Sequence, residues 1–180
     1  MEQPQLLRNP IFIDNRGVFA PLTFEKKNDV EYVNKTWIQS NLSVNPNKWT
    51  IRGLHYQKEP FAQSKLVKVI TGRIIDFVVD IRTDSEDLGK CYVYDVKPDY
   101  ELYVPKGFAH GFMTLEYNTI VQYLVDEKYS KESEGSIFWE SVEEIKNALP
   151  VTFKKEFSKI SEKDVNCETL EEFLKKINYV

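Results

Sequence analysis

The sequence predicts an all-β domain of the sandwich or barrel type that ends in a short helical segment. Between residues 37 and 138, short segments rich in β-branched and aromatic residues alternate with turn signals such as residues 45–47 (NPN) and 105–107 (PKG). No helical pattern separates these segments, which is typical of a sandwich or barrel. Because 180 residues with 42% hydrophobic content can bury one core, we expect a single domain spanning residues 1–180.

The strand predictions follow from local patterns along the chain. The apolar residues 11–13 (IFI) and 18–19 (VF) are suited to edge strands near the N-terminus. Residues 72–82 (GRIIDFVVDIR) are too apolar to keep one face in water, so they predict a central strand. A weaker helical pattern covers residues 142–149 and ends at Pro150.

The clearest helical pattern lies near the C-terminus. Four apolar residues recur there at i, i+3, i+4 and i+7, namely Leu170, Phe173, Leu174 and Ile177. Thr169 precedes them, and Glu172 stands at the spacing of a capping box. The sequence therefore predicts an amphipathic C-terminal helix.

Charge and hydropathy argue against nucleic-acid and membrane partners. The net charge is −4, and lysines are interspersed with acidic residues instead of forming a basic stripe. The apolar runs 67–71 and 74–81 are interrupted by Lys68, Asp76 and Asp80, so neither could span a bilayer. Residues 1–4 (MEQP) lack the features of a signal peptide, so we expect a cytoplasmic protein. Cys91 and Cys167 have no metal-type spacing and are expected to be reduced thiols.

The chain has two histidines, His55 and His110, and both lie among turn and strand residues. Two histidines cannot supply the nitrogen ligands of a typical catalytic zinc or iron site without help from carboxylates and water. We therefore expect no metal at these positions. Proton transfer is the favoured role for the two imidazoles.

A set of ordered motifs gives a family resemblance that extends over most of the chain. The motifs are residues 16–19 (RGVF), 52–57 (RGLHYQ), 64–67 (SKLV), 79–82 (VDIR), 104–112 (VPKGFAHGF), 129–136 (YSKESEGS) and 161–164 (SEKD). With them the chain resembles the nucleotide-sugar 3,5-epimerases typified by dTDP-4-dehydrorhamnose 3,5-epimerase. The resemblance implies a cupin-type jelly-roll barrel. It also implies an enzyme that needs no cofactor and makes a precursor of surface polysaccharide.

The chemistry of that family explains the residue types that it uses. In a nucleotide-linked 4-keto-6-deoxy sugar, the C4 ketone acidifies the protons on C3 and C5. Epimerisation then needs a base on one face of the ring and an acid on the other, with an enolate in between. A preorganised cation near the C4 oxygen stabilises that enolate.

The resemblance assigns catalytic roles to five residues. His55 matches the base, and Asp164 matches the carboxylate that hydrogen-bonds the base and fixes its tautomer. Tyr123 matches the general acid on the opposite face. Lys65 matches the cation at the enolate oxygen, and His110 would line the same pocket as a second donor.

The resemblance also implies a set of substrate-binding residues. Arg16 and Arg52 match the diphosphate ligands, for which a guanidinium fork is well suited. The remaining positions match the nucleotide-binding part of the family site and are Gln39, Asn41, Tyr129, Glu134 and Lys163.

Two departures from the family pattern bear on the identity of the substrate. After the RGVF motif the chain has Ala20-Pro21, where the dTDP-sugar enzymes usually carry a glutamate that helps to hold the nucleotide. Trp139 is followed by Glu140-Ser141, and the usual Trp-Pro element is absent. The sequence therefore leaves the carrier open between dTDP and GDP, and the sugar open between hexose and heptose.

Several hypotheses about function remain open alongside the 3,5-epimerase. A single-centre epimerase would use the same groups, and a non-catalytic cupin that binds a sugar nucleotide would need the pocket but not the His55–Asp164 pair. A metal-dependent cupin oxygenase is disfavoured by the number of histidines.

The resemblance further implies a homodimer in which residues 11–13 and 18–19 help to complete the neighbouring sheet and pocket.

Overall fold

The computed structural model describes residues 1–20 and 35–178, which form two five-stranded sheets and a separate two-stranded hairpin. The strands are β1 (Gln5–Arg8), β2 (Phe12–Asp14), β3 (Gly17–Phe19), β4 (Gln39–Asn45), β5 (Ile51–Gln57), β6 (Lys65–Thr71), β7 (Ile74–Asp80), β8 (Cys91–Val96), β9 (Tyr100–Val104), β10 (Phe108–Thr114), β11 (Thr119–Val125) and β12 (Glu134–Ser136). The first sheet has the order β1-β9-β6-β11-β4, and the second has the order β12-β5-β10-β7-β8. The antiparallel pairing in both sheets confirms the predicted all-β jelly-roll class.

The predicted central strand is β7, which lies between β10 and β8 in the second sheet. Phe77, Val78 and Val79 are fully buried there, as expected for a strand with apolar residues on both faces. Their side chains alternate between the two faces of the sheet. One face packs towards the first sheet and the other towards the C-terminal helices.

Two apolar clusters hold these layers together. The cluster between the two sheets includes Val67 and Val121 from the first sheet and Val78 and Phe112 from the second. The cluster on the other face of the second sheet includes residues of the C-terminal segment, among them Trp139, Ile145 and Phe173. The functional cavity described below opens between the two sheets.

The α-helices of the described residues are α1 (Glu143–Ala148), α2 (Glu162–Val165) and α3 (Leu170–Asn178). Two of them lie where the sequence predicts them, at residues 142–149 and near the C-terminus, and the short helix α2 was not predicted. The capping box of α3 is formed, because the Thr169 backbone N–H donates to Glu172 Oε2 at 2.8 Å and the Glu172 N–H donates to Thr169 Oγ1 at 3.2 Å. No helix in residues 1–20 and 35–178 is long and apolar enough to cross a membrane.

The N-terminal apolar segments pair with each other as the β2–β3 hairpin. Their side chains are largely exposed, with Ile13 at 71% and Phe19 at 68%. Ala20 is the last described residue before the gap, and Pro21 lies outside the described residues. Cys91 and Cys167 are both free thiols, as predicted.

Candidate active site

Strand β5 places His55 beside His110 of strand β10. The two histidines are directly paired across these antiparallel strands, so their side chains leave the sheet on the same face. The strands come unusually close at Gly53 and Gly111, where a Cβ added to Gly53 would lie 2.5 Å from the Gly111 Cα. Gly53 also has a φ of +116°, which favours glycine.

His55 has a carboxylate partner from a distant part of the chain. Its Nε2 lies 2.6 Å from Oδ1 of Asp164, which the short helix α2 carries 109 residues later. Ser161 caps that helix by accepting a hydrogen bond from the Asp164 N–H, and the Gly53 N–H donates to Asp164 Oδ2 at 3.4 Å. Burial raises the pKa of Asp164, but the hydrogen bonds from His55, Ser161 and Gly53 outweigh it and lower the pKa below its ordinary value.

The Asp164 carboxylate determines which nitrogen of His55 is the base. An ionised carboxylate only accepts hydrogen bonds, so the proton of neutral His55 belongs on Nε2. Nδ1 is then the nitrogen that can remove a proton from a substrate. The geometry is that of an imidazole oriented for general base catalysis.

A second histidine–aspartate pair lies deeper in the same cavity. His110 Nε2 is 2.9 Å from Oδ2 of Asp76 on β7, and both side chains are almost completely buried. Burial raises the pKa of Asp76 and lowers the pKa of His110, because it disfavours charge on either group. The second oxygen of Asp76 is buried and accepts no hydrogen bond from the described residues.

Lys65 begins β6 in the first sheet, on the cavity wall, and its Nζ lies 3.5 Å from the His55 carbonyl oxygen. Burial lowers the pKa of Lys65 to about 8, although the nearby carboxylates of Asp76 and Glu134 act in the opposite direction. An ammonium group held in a poorly solvated position is well suited to stabilise a developing oxyanion.

Tyr123 comes from the first sheet, whereas His55 comes from the second. Tyr123 is paired with Val67 of β6, two residues along the strand from Lys65 and therefore on the same face, and it lines the same cavity. Burial raises the pKa of Tyr123, and the charge of Arg52 opposes this rise. The tyrosine therefore remains a protonated hydroxyl at neutral pH and can serve as an acid.

All five predicted catalytic residues line one cavity of about 660 Å³. Of the predicted binding residues, Arg52 and Lys163 line the cavity too. The volume is within the range of pockets that hold small ligands and cofactors. Its apolar walls include Val67, Val121 and Phe112.

The other predicted binding residues do not line the cavity within one chain. Glu134 is nearby, since its Oε1 lies 2.5 Å from Lys163 Nζ and its Oε2 accepts a hydrogen bond from the Tyr129 hydroxyl at 2.9 Å. Gln39 and Asn41 bond to each other on the edge strand β4, at 2.6 Å. Arg16 is in the hairpin, where it pairs with Asp14 at 2.6 Å.

Sequence reasoning missed two buried polar residues that contact the predicted site. Asp76 interrupts the apolar strand β7 and bonds to His110. Asn45 stands in a turn-like Asn-Pro-Asn stretch, yet it is buried and bonds to Arg52 at 2.8 Å. A polar residue within an otherwise apolar strand was the available signal for Asp76.

Among the described residues, no three histidine, cysteine, aspartate or glutamate side chains converge in a way that could hold a metal ion. The cavity instead combines a carboxylate-oriented imidazole, a buried ammonium group and a tyrosine hydroxyl. These features define a jelly-roll protein of the cupin type with an acid–base site.

Comparison with known proteins identifies the family. The family model described as dTDP-4-dehydrorhamnose 3,5-epimerase matches residues 2–172. A dTDP-4-dehydrorhamnose 3,5-epimerase of Sinorhizobium fredii is 35% identical, over 98% of this chain and 89% of the relative. The chain therefore belongs to the dTDP-4-dehydrorhamnose 3,5-epimerase family, whose members are isomerases.

Solved structures of similar proteins agree with this assignment. The dTDP-4-dehydrorhamnose 3,5-epimerase of Bacillus anthracis, solved with TDP and PPi bound, has a TM-score of 0.81 and 38% identity, and the match covers 92% of this chain and 93% of that one. A dTDP-6-deoxy-D-glucose-3,5-epimerase from Legionella pneumophila was solved in complex with dTDP-4-keto-L-rhamnose. It has a TM-score of 0.78 and 28% identity, and the match covers 97% of this chain and 91% of that one.

Proposed function

We propose that this protein inverts C3 and C5 of a dTDP-linked 4-keto-6-deoxy hexose through an enolate, as a step towards a surface polysaccharide precursor. The observation that carries the proposal is the arrangement of the oriented base His55 and the hydroxyl of Tyr123 on different sheets around one cavity. Family membership supports the same reaction.

The reaction follows from the positions of these groups. His55 Nδ1 removes the proton from C3, and the electrons of the C–H bond move into the ring to form an enolate with its negative charge on the C4 oxygen. The Lys65 ammonium group stabilises that oxygen, with His110 as a second donor. Tyr123 then delivers its hydroxyl proton to the opposite face of C3, which restores the ketone with inverted configuration.

The same sequence at C5 completes the double inversion. Between the two inversions, His55 loses its proton to solvent and the Tyr123 phenolate regains a proton from solvent. No net proton or electron is consumed. Asp164 keeps the imidazole in one tautomer through each cycle. These steps use only groups of the chain, the substrate and solvent water.

The nucleotide diphosphate occupies the outer part of the cavity in this proposal. Arg52 binds the diphosphate, and Lys163 with its partners Glu134 and Tyr129 contacts the nucleoside. The names of the similar proteins favour dTDP as the carrier over GDP. Residue 20 is an alanine in this chain, so the experiment below compares dTDP- and GDP-linked sugars directly.

A homodimer would account for Arg16, which one chain leaves outside its own cavity. The hairpin exposes Phe12, Ile13, Val18 and Phe19, and it carries Arg16. Four exposed apolar residues on one short hairpin are suited to burial against a second copy. We propose that this contact brings Arg16 to the partner's diphosphate site. A dimer mass in light scattering at micromolar concentration is expected, and a monomer would contradict it.

A cytoplasmic location is part of the proposal, because nucleotide sugars are made where nucleoside triphosphates are available. Fractionation of cells that produce the protein at its natural level would test this location.

The decisive experiment follows solvent exchange at the two carbons. The protein is incubated in D2O with dTDP- and GDP-linked 4-keto-6-deoxy sugars, including a 4-keto heptose, and loss of the C3 and C5 proton signals is recorded by NMR. Exchange at both carbons of the dTDP-hexose, absent from the His55→Ala variant, is the expected result. Exchange at one carbon would indicate a single-centre epimerase. Binding without exchange would indicate a non-catalytic sugar-nucleotide-binding cupin.

A further inference from the structure

Asn45 ends strand β4 at the edge of the first sheet, and its side chain is held in a single orientation. It is 1% exposed. Its Nδ2 donates to the carbonyl oxygens of Thr119 at 3.1 Å and of Ser43 at 3.2 Å. Because a carbonyl oxygen only accepts, the amino end of the amide must face these two groups. The Asn45 carbonyl oxygen, Oδ1, is therefore directed away from them.

That oxygen is directed at Arg52, which belongs to strand β5 of the other sheet. Oδ1 accepts a hydrogen bond from Arg52 Nε at 2.8 Å, and Ser43 Oγ donates to the same oxygen at 3.2 Å. The contact occupies Nε and leaves the two terminal nitrogens of the guanidinium group. Within residues 1–20 and 35–178, those two nitrogens make no hydrogen bond or ion pair, and Arg52 lines the cavity.

We propose that Asn45 is a positioning residue that holds Arg52 with its two terminal nitrogens ready for the substrate diphosphate. The inference rests on the proposed function, in which Arg52 binds that group. A long arginine side chain loses rotamer freedom when it binds an anion, and a contact that fixes the side chain beforehand removes part of this cost. The fork of two terminal N–H groups is the part of arginine that matches phosphate oxygens.

The neutral amide of Asn45 suits the positioning of Arg52 better than a carboxylate would. An aspartate at position 45 would also accept from Arg52 Nε, but it would neutralise the guanidinium charge and repel a diphosphate nearby. The neutral asparagine holds the arginine and leaves its positive charge available. Its amino group also satisfies two carbonyl oxygens that a carboxylate could not.

A double-mutant cycle tests whether Asn45 acts through Arg52. Affinity for inorganic pyrophosphate is measured by calorimetry for the intact protein, Asn45→Ala, Arg52→Ala and the double variant. We expect Asn45→Ala to weaken binding about tenfold and Arg52→Ala to weaken it about a hundredfold, as for lost bonds to a charged group. In the Arg52→Ala background, Asn45→Ala should have no further effect. An equal tenfold loss in both backgrounds would overturn the proposal and assign Asn45 a general structural role.

Further variants keep the test informative if Asn45→Ala is poorly folded. Asn45→Ser retains an oxygen acceptor and is expected to recover part of the lost affinity, whereas Asn45→Asp should bind pyrophosphate less well than Asn45→Ser. The opposite order would overturn the proposal. Gln122→Ala is the matched control, because this half-buried side chain on β11 bonds to Ser40 outside the cavity, and its variant should bind pyrophosphate normally.

The binding measurement separates this inference from the proposed reaction. Pyrophosphate affinity does not depend on turnover, so coupling between Asn45 and Arg52 would support the positioning role even if no epimerisation were found. Unchanged pyrophosphate affinity in Arg52→Ala would remove the diphosphate role of Arg52 and overturn the inference with it. In turnover assays, Asn45→Ala should raise KM about tenfold with kcat nearly unchanged, the pattern of lost uniform binding.

Discussion

The two histidine–aspartate pairs of the cavity use the same side chains in different surroundings. The His55 side chain is 34% exposed and its Asp164 partner 5%, whereas His110 and Asp76 are at 8% and 0%. Hydrogen bonds lower the pKa of Asp164 despite its burial, while burial raises the pKa of Asp76. Hydrogen-bond number and access to water therefore shift the pKa values of the two carboxyl groups in opposite directions.

This difference suits the two pairs to different tasks. The ionised Asp164 keeps the proton of His55 on Nε2 and leaves Nδ1 free to accept one. A neutral Asp76 would instead donate to His110 Nε2, which places the proton of the imidazole on Nδ1 and makes that nitrogen a donor. We expect the first pair to remove protons and the second to donate a hydrogen bond to the enolate oxygen.

The largest expected effect is a difference in kcat between the alanine variants of the two histidines. His55→Ala should lower kcat by about 10⁴-fold, the upper range for loss of a general base, whereas His110→Ala should lower it by about 10²-fold, as for loss of one oxyanion donor. Steady-state kinetics with the dTDP-linked substrate measure both values, and calorimetry with dTDP checks that binding is retained. Equal losses would contradict the division of tasks.

Replacing each aspartate by asparagine tests which nitrogen of its histidine partner carries the proton. Asp164→Asn should lower kcat by about 10³-fold, because the amide can donate to Nε2 and move the proton of His55 to the wrong nitrogen. Asp76→Asn should lower kcat by about tenfold or less, because an amide that donates to His110 Nε2 reproduces the neutral acid. A larger loss for Asp76→Asn than for Asp164→Asn would show that Asp76 acts as an anion.

The pH dependence of turnover tests the cation that both pairs flank. Burial lowers the pKa of Lys65 to about 8, so the ammonium group is lost as the pH rises through that value. If the cation stabilises the enolate, kcat/KM, which reports ionisations of the free enzyme, should fall above about pH 8. Lys65→Arg should keep its charge and lose this alkaline decline. An unchanged decline in that variant would assign it to another group.

The smallest expected effect concerns stability, and its sign differs between the pairs. The pKa of Asp164 is lowered in the folded protein, so its contribution is present above the ordinary value of 3.8 and is lost as the pH falls. The pKa of Asp76 is raised, so its contribution is present below 3.8 and is lost as the pH rises. At pH 8, Asp164→Asn should lower the free energy of unfolding by about 1 kcal/mol, and Asp76→Asn should raise it by a similar amount. Urea unfolding measures both, and the same sign for both variants would refute this account.

The comparison also shows what the sequence can and cannot predict. Residue patterns predicted the strands, the capped helix α3 and the apolar strand β7, because these depend on local periodicity and capping. The family motifs predicted five candidate catalytic residues, and the structure brings all five to one cavity. No local pattern identifies Asp76 as the partner of His110, because their contact depends on the pairing of β7 with β10.

Two further residues show other reasons for incomplete prediction. Asn45 stands beside a proline in a turn-like stretch, and only the packing of β4 against β5 and β11 makes its amide a buried contact of Arg52. Arg16 lies outside the cavity of a single chain. The role that we propose for it requires a second copy, which the sequence of one chain does not position.

The 109 residues between His55 and Asp164 have a consequence for synthesis on the ribosome. All the strands from β5 to β12 are made before Asp164, so a nascent chain carries its imidazole long before the carboxylate that orients it. Asp164 and Phe173, which packs in the core beside Tyr56, are both made after these strands. A chain that stops before Asp164 would therefore lack both the carboxylate that orients His55 and the aromatic side chain that packs on Tyr56.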